Sequence, residues 1–153
     1  MSEMTVRSIG TVEKKNGKKV IQLQSKFSEG LTGLDGFGHV VVLWWADRYA
    51  QYRDEVPMLS DLPYAPGTQA GLLATRSPVR PNPIGINIAG IESVDVENGV
   101  IEVDEIDAFE GTVILDVKPY YGCIDRVKEY RQPSWVPEDW GEWYVPLPEM
   151  DYS

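Results

Sequence analysis

Residues 74–87, Ala-Thr-Arg-Ser-Pro-Val-Arg-Pro-Asn-Pro-Ile-Gly-Ile-Asn, constrain this chain more than any other stretch. Pro78, Pro81 and Pro83 each fix their own φ and push Ser77, Arg80 and Asn82 out of the helical region, so the segment runs extended and stiff. Residues 70–75 before it and the alternating run 84–91 after it read as strands, which leaves Arg76 and Arg80 on a pre-set backbone at a strand junction. Arginine's planar fork of donors suits bidentate recognition of a carboxylate or another anion, and a loop ordered in advance loses less entropy on binding. A loop of this composition also serves simply to turn a corner with its arginines solvated.

The rest of the chain is written in short strands. Residues 6–12 and 19–23 form a hairpin about Asn16-Gly17, a strong turn signal. Gly30, Gly33, Gly36 and Gly38 are turn punctuation rather than a phosphate-binding loop, because they open the β-rich run 40–45 and not a helix. Residues 46–56, where Arg48, Arg53, Asp54 and Glu55 alternate with Tyr49 and Tyr52, suggest a short helix, and 58–68 an irregular excursion rich in proline. Further strands are expected over 94–96, 100–106 and 113–117, with Asn98-Gly99 as a second hairpin signal and Glu102, Asp104 and Asp107 on the wet face or at its end. Many short strands with almost no helical periodicity point to a mainly β chain: a small, single-domain, closed or nearly closed β-barrel.

At 153 residues the chain is one domain by size and can build a core without disulfides; its one cysteine, Cys123, cannot form an intramolecular bridge. Residues 1–8 lack the apolar core of a signal peptide and no run approaches the ~20 apolar residues of a membrane helix, so a cytoplasmic protein without membrane contact is expected. With a single histidine, His39, and one cysteine, no protein-built metal site is expected. The net charge of −10 opposes nucleic-acid binding by the bulk of the surface, yet Lys14, Lys15, Lys18 and Lys19, Arg76 and Arg80, and Arg126, Lys128 and Arg131 cluster locally.

Arg-Ser-Pro-x-Arg-Pro-Asn-Pro-Ile-Gly at 76–85, followed by Glu-Gly-Thr-x-x-x-Asp-Val-Lys-Pro-Tyr at 110–120, resembles the signature of the TrmO family, also called TsaA-like or YaeB-like proteins. The turn Gly36-Phe37-Gly38-His39-Val40 resembles that family's entry into a central strand, and the likeness runs from about residue 9 to residue 125. It implies a β-barrel that binds S-adenosylmethionine near a homodimer interface and methylates N6 of threonylcarbamoyladenosine beside the anticodon of tRNA. By motif it implies cofactor contacts at His39, Val40, Arg76, Ile86, Glu110, Gly111 and Thr112, and substrate contacts at Arg80, Asn82 and Lys118. On its own, a lone histidine at a strand entrance reads as structural. No convincing general base stands out; Asp116, Asp125 and then Glu110 are the candidates.

The chain departs from the family in places. Only six residues, 13–18, stand where relatives carry a longer segment with a Pro-Arg-Gln stretch, so either another segment closes that end of the cofactor site or the end is open. Glu110 and Val113 replace the usual aspartate and proline, and Asn87 the usual serine. Residues 1–131 are assigned to the TsaA-like domain and 132–153 to an irregular arm with Trp135, Trp140 and Trp143, which packs on its own barrel, packs on a second subunit, or stacks a flat ligand ring. Three functions follow: a tRNA methyltransferase, a methyltransferase of a small acceptor, and a module that binds S-adenosylmethionine without turning it over.

Overall fold

Short strands satisfy their backbone donors and acceptors only by pairing on both sides, and that demand organises the molecule. The computed structural model describes residues 2–145 and contains eight strands: β1 (Gly10–Lys15), β2 (Lys18–Leu23), β3 (His39–Trp45), β4 (Leu59–Asp61), β5 (Gln69–Gly71), β6 (Ile84–Asp95), β7 (Val100–Val103) and β8 (Val113–Pro119). Six of them follow the order β1-β2-β7-β6-β3-β8 and return to β1, a closed barrel with antiparallel pairing throughout. β4 and β5 form a separate two-stranded sheet. Among the described residues helix is confined to short 3-10 turns and one four-residue α-helix, α1 (Gly122–Asp125), so the fold is mainly β as the turn spacing requires.

Alternation builds the core. Val12, Ile21, Val40, Val42, Ala89, Ile101 and Ile114 point inward and are completely buried, while Leu31, Leu34, Ile106 and Ala108 close over them from the connections. At the β1–β2 turn Asn16 has φ 52° and Gly17 φ 79°, the two left-handed residues that a two-residue hairpin demands and the Asn-Gly pair supplies.

Several local expectations need correction. Residues 70–75 do not make one long strand: β5 ends at Gly71 and a 3-10 turn, Leu72–Ala74, leads into the proline track. The excursion 58–68 is not wholly irregular, since β4 pairs with β5 over a small core of Leu62, Ala65 and Ala70. Residues 46–56 hold a 3-10 helix, Asp47–Tyr52. No separate strand exists at 94–96, because β6 runs unbroken to Asp95 with a register shift between Ile91 and Ser93. Asp104 lies just past the end of β7, one of the two places expected for it, and is half-buried. Its carboxylate accepts the backbone N–H of Gly90 and of Glu105, both at 2.7 Å, and a Cβ at position 90 would collide with it.

Side chains from the stretch where an arm is expected touch the rest of the chain. Trp135 and Trp140 lie 6.1 Å and 5.0 Å, centroid to centroid, from Tyr64 in the turn that joins β4 to β5. The Tyr144 hydroxyl donates to the Asp104 carboxylate at 3.1 Å, and the His39 ring meets Tyr144 edge-on at 5.4 Å. Burial, and then this bond, push the Tyr144 hydroxyl up to about 12. Residues 146–153 of the expected arm lie outside the described residues.

Candidate functional site

A cavity of about 860 Å³ opens at the end of the barrel where β3 finishes and β6 and β8 begin. Its floor is Trp44, whose indole N–H donates to Asn87 Oδ1 at 2.9 Å and whose ring lies flat against Gly85, where no side chain intervenes. The asparagine that replaces the family's serine thus fixes the floor.

Three walls rise from it. The first is the start of the 3-10 helix, with Asp47, Arg48 and Tyr49. The second is the proline track, which contributes Arg76, Arg80 and Asn82 together with Ile84 and Ile86 from the opening of β6. Ile84 and Ile86 are 42% and 45% exposed, an apolar surface turned to the cavity and solvent rather than to the core. The third is the turn before β8, with Asp107, Phe109, Glu110, Gly111 and Thr112. That turn is pinned to β1 by its backbone: Gly111 N–H donates to Val12 O at 2.7 Å and Val12 N–H to Thr112 O at 2.9 Å. Gly111 has φ 86°, a conformation glycine adopts without strain, and the bend leaves the Glu110 carboxylate exposed.

The two signatures therefore meet. Arg76, Ile86, Glu110, Gly111 and Thr112 line one cavity, as do Arg80 and Asn82. Arg80 commits Nη1 to its own loop, donating to Thr75 O at 3.0 Å and Ser77 O at 3.1 Å. Asn82 Oδ1 accepts from Arg53 Nη2 at 2.8 Å.

Other expected residues are elsewhere in the single chain. His39 begins β3 and the first cavity residue on that strand is Trp44, five residues on, so roughly 17 Å of extended backbone separates the two; His39 sits between Tyr120 and Tyr144. Val40 has no exposed surface and does not line the cavity. Lys118 pairs with Asp116 at 2.9 Å on β8, and neither lines the cavity. Asp125 Oδ2 accepts the Tyr121 N–H at 2.9 Å and holds the first turn of α1. The carboxylates that do reach the cavity are Asp47, Asp107 and Glu110.

Asp47, Arg48, Tyr49, Asp107 and Phe109 escaped sequence reasoning. For Asp47, Arg48 and Tyr49 the one signal was the interleaving of charge with aromatic residues over 46–56, which reads equally as an exposed helix; Asp107 and Phe109 carried none. Arg48 lies 3.9 Å above the Phe109 ring. With Arg76 and Arg80 it gives the cavity three guanidinium groups on a chain whose net charge is −10. The hairpin lysines are not a comparable patch: Lys18 pairs with Glu92, which raises its ammonium above the ordinary range, and Lys15 donates to Gln22 at 2.8 Å. Among the described residues no group of three or more His, Cys, Asp or Glu could hold a metal ion.

The sequence model of the tRNA-methyltransferase O N-terminal domain matches residues 8–126. A probable S-adenosyl-L-methionine-binding protein of Archaeoglobus fulgidus is 36% identical over 107 residues, 70% of this chain and 27% of the relative. The human tRNA (adenine(37)-N6)-methyltransferase is 36% identical over 103 residues, 67% of this chain and 22% of its own length. The chain thus spans about a quarter of these relatives. A crystal structure of TrmO from Pseudomonas aeruginosa superposes with a TM-score of 0.67 at 24% identity, covering 88% of this chain and 62% of that one, a likeness of fold.

Proposed function

We propose, because the chain belongs to the tRNA-methyltransferase O N-terminal-domain family, that it binds S-adenosylmethionine in the cavity and methylates N6 of an adenosine in tRNA, threonylcarbamoyladenosine being the acceptor. The observation that supports this most is that Arg76 and the Glu110-Gly111-Thr112 bend, more than thirty residues apart in sequence, line one cavity.

The donor set suits the cofactor. A volume of about 860 Å³ falls within the roughly 300–1,000 Å³ of small-molecule sites. The Arg76 guanidinium, with no partner among the described residues, can take the carboxylate of the methionine part; Glu110 and Asp107 can accept from its ammonium and from the ribose diol. Trp44, Phe109, Ile84 and Ile86 supply apolar and aromatic surface for the ring and chain. When bound, S-adenosylmethionine supplies an electrophilic methyl group on a sulfonium.

The residues' own work is to hold two molecules in line and exclude water, with no metal demanded. The proton leaving N6 passes to a carboxylate, and of the cavity's carboxylates Glu110 is the one foreseen as a base, in place of Asp116 and Asp125. Arg48, Arg76 and Arg80 gather positive charge where an anionic acceptor would approach, which answers the net charge of −10.

Homodimerisation, a cytoplasmic setting and the division into a domain over 1–131 and an arm over 132–153 belong to the same reading. The cofactor contact expected of His39, which the single chain does not bring to the cavity, belongs in this reading to such a pairing. A second reading, binding without turnover, is favoured by the archaeal relative's designation as a binding protein alone.

The test is transfer of labelled methyl from S-adenosylmethionine to tRNA from cells lacking this gene, followed by mass spectrometry of the nucleosides. Methylated threonylcarbamoyladenosine is expected. Heat of association without transfer to any acceptor would leave the binding module; no heat with either the cofactor or its demethylated product would end both readings.

A further inference from the structure

Backbone donors are scarce in the segment that carries Arg76, because Pro78, Pro81 and Pro83 have no N–H. Asn82 O and Pro83 O accept the backbone N–H of Ile84 and of Ala46, whereas Thr75 O, Ser77 O and Pro81 O are met by arginine side chains. Arg80 braces the first half through Thr75 O and Ser77 O. The second half is held from outside the loop: Arg53 Nε donates to Pro81 O at 2.7 Å and Nη2 to Asn82 Oδ1 at 2.8 Å, with its Cζ 5.4 Å from the Trp45 ring centroid. Arg53 immediately follows the 3-10 helix Asp47–Tyr52, which supplies Asp47, Arg48 and Tyr49 to the opposing wall.

We propose that Arg53 is a positioning residue, a strut whose guanidinium fork ties the first wall of the cavity to the second, sets the width between them and thereby fixes the presentation of Arg76. Arg53 lies in neither signature, and nothing in the spacing of the sequence marks it. The bond needs a fork: Nε and Nη2 address two acceptors on adjacent residues from one rigid plane, and a lysine ammonium, though of the same charge, cannot reproduce it. What the strut does for ligand affinity rests on the proposed binding of S-adenosylmethionine; what it does for the loop does not.

The test uses the full chain with R53K, N82L, N82D and the double variant R53K/N82L. Trypsin can cut after Arg76, whereas Arg80 is followed by proline and resists, so the rate of the cut at Arg76 under native conditions reports how often the loop opens. Loss of the fork should speed that cut on the order of tenfold in R53K and several-fold in N82L, while N82D, which keeps the acceptor, stays close to wild type. The double variant should fall short of the product of the two single effects, the mark of a shared interaction. Affinity for S-adenosylmethionine should fall about tenfold in R53K with the thermal midpoint within a few degrees of wild type. A cut at Arg76 no faster in R53K than in wild type, or effects of R53K and N82L that simply multiply, would overturn the strut. So would a lowered midpoint with loop cutting and affinity unchanged, which is a structural arginine and nothing more. Should the wild-type chain not bind S-adenosylmethionine, the proposed function fails and the proteolysis alone decides on Arg53.

Discussion

Gly85→Ala is the sharpest perturbation of the cavity floor. The added methyl would overlap Cε2, Cζ2 and Cδ2 of the Trp44 indole, a rigid ring that cannot bend aside at its tip. Relief requires the indole to swing or the β3–β6 pair Trp44↔Gly85 to spread, and either breaks the 2.9 Å bond from Trp44 to Asn87. Overpacking costs about 1–3 kcal/mol and the lost hydrogen bond about 1 more, so the variant should be about 2–4 kcal/mol less stable. For a domain of this size that is a fall of roughly 5–15 °C in the midpoint. The assay is thermal unfolding followed by near-ultraviolet circular dichroism, which reports both the midpoint and the packing of the indole. In a Trp44→Leu background the clash is gone, and adding G85A should cost under about 1 kcal/mol. The reasoning is refuted if G85A keeps the wild-type midpoint and aromatic signal, or if it costs as much in the W44L background as beside the native tryptophan.

Arg76→Lys keeps the charge and loses the fork, so affinity for S-adenosylmethionine should drop about tenfold by calorimetry with the midpoint unchanged; equal affinity would remove the carboxylate clamp. Tyr144→Phe tests the latch on the arm. The Tyr144 hydroxyl stands raised from 10.0 to about 12, so its contribution is whole below pH 10 and is lost as pH climbs towards 12, because the detached arm gives up its proton first. Wild type should release the arm across that window, seen as a change in tryptophan fluorescence that Y144F already displays at neutral pH. Ile114→Ala, at a completely buried barrel position, should cost about 2–5 kcal/mol in denaturant unfolding, whereas Ile84→Ala at the cavity rim, 42% exposed, should cost under about 1 kcal/mol.

Events whose physics is local were legible in the order of residues alone. Asn16-Gly17 set a hairpin because two consecutive left-handed residues come with little strain only for such a pair. Alternation in β3 and β6 chose which side chains turn inward, and Pro78, Pro81 and Pro83 made the Arg76 loop rigid before anything packed on it. What lies beside what came only with the folded chain. Asp104 reads from its neighbours as a carboxylate on the wet face of its strand or at its end, and chain reversal adds what no neighbour shows, the N–H of Gly90 fourteen positions away. His39 and Trp44 are five residues apart, but an extended strand carries them to opposite ends of the barrel. Asp47, Arg48 and Arg53 acquire their roles only because the segment after β3 folds back against the proline track, a contact of side-chain donors with carbonyls that no periodicity records. Backbone preference travels a few residues along a chain; the meeting of walls depends on how strands close into a ring, and that is settled by the summed burial of the whole core.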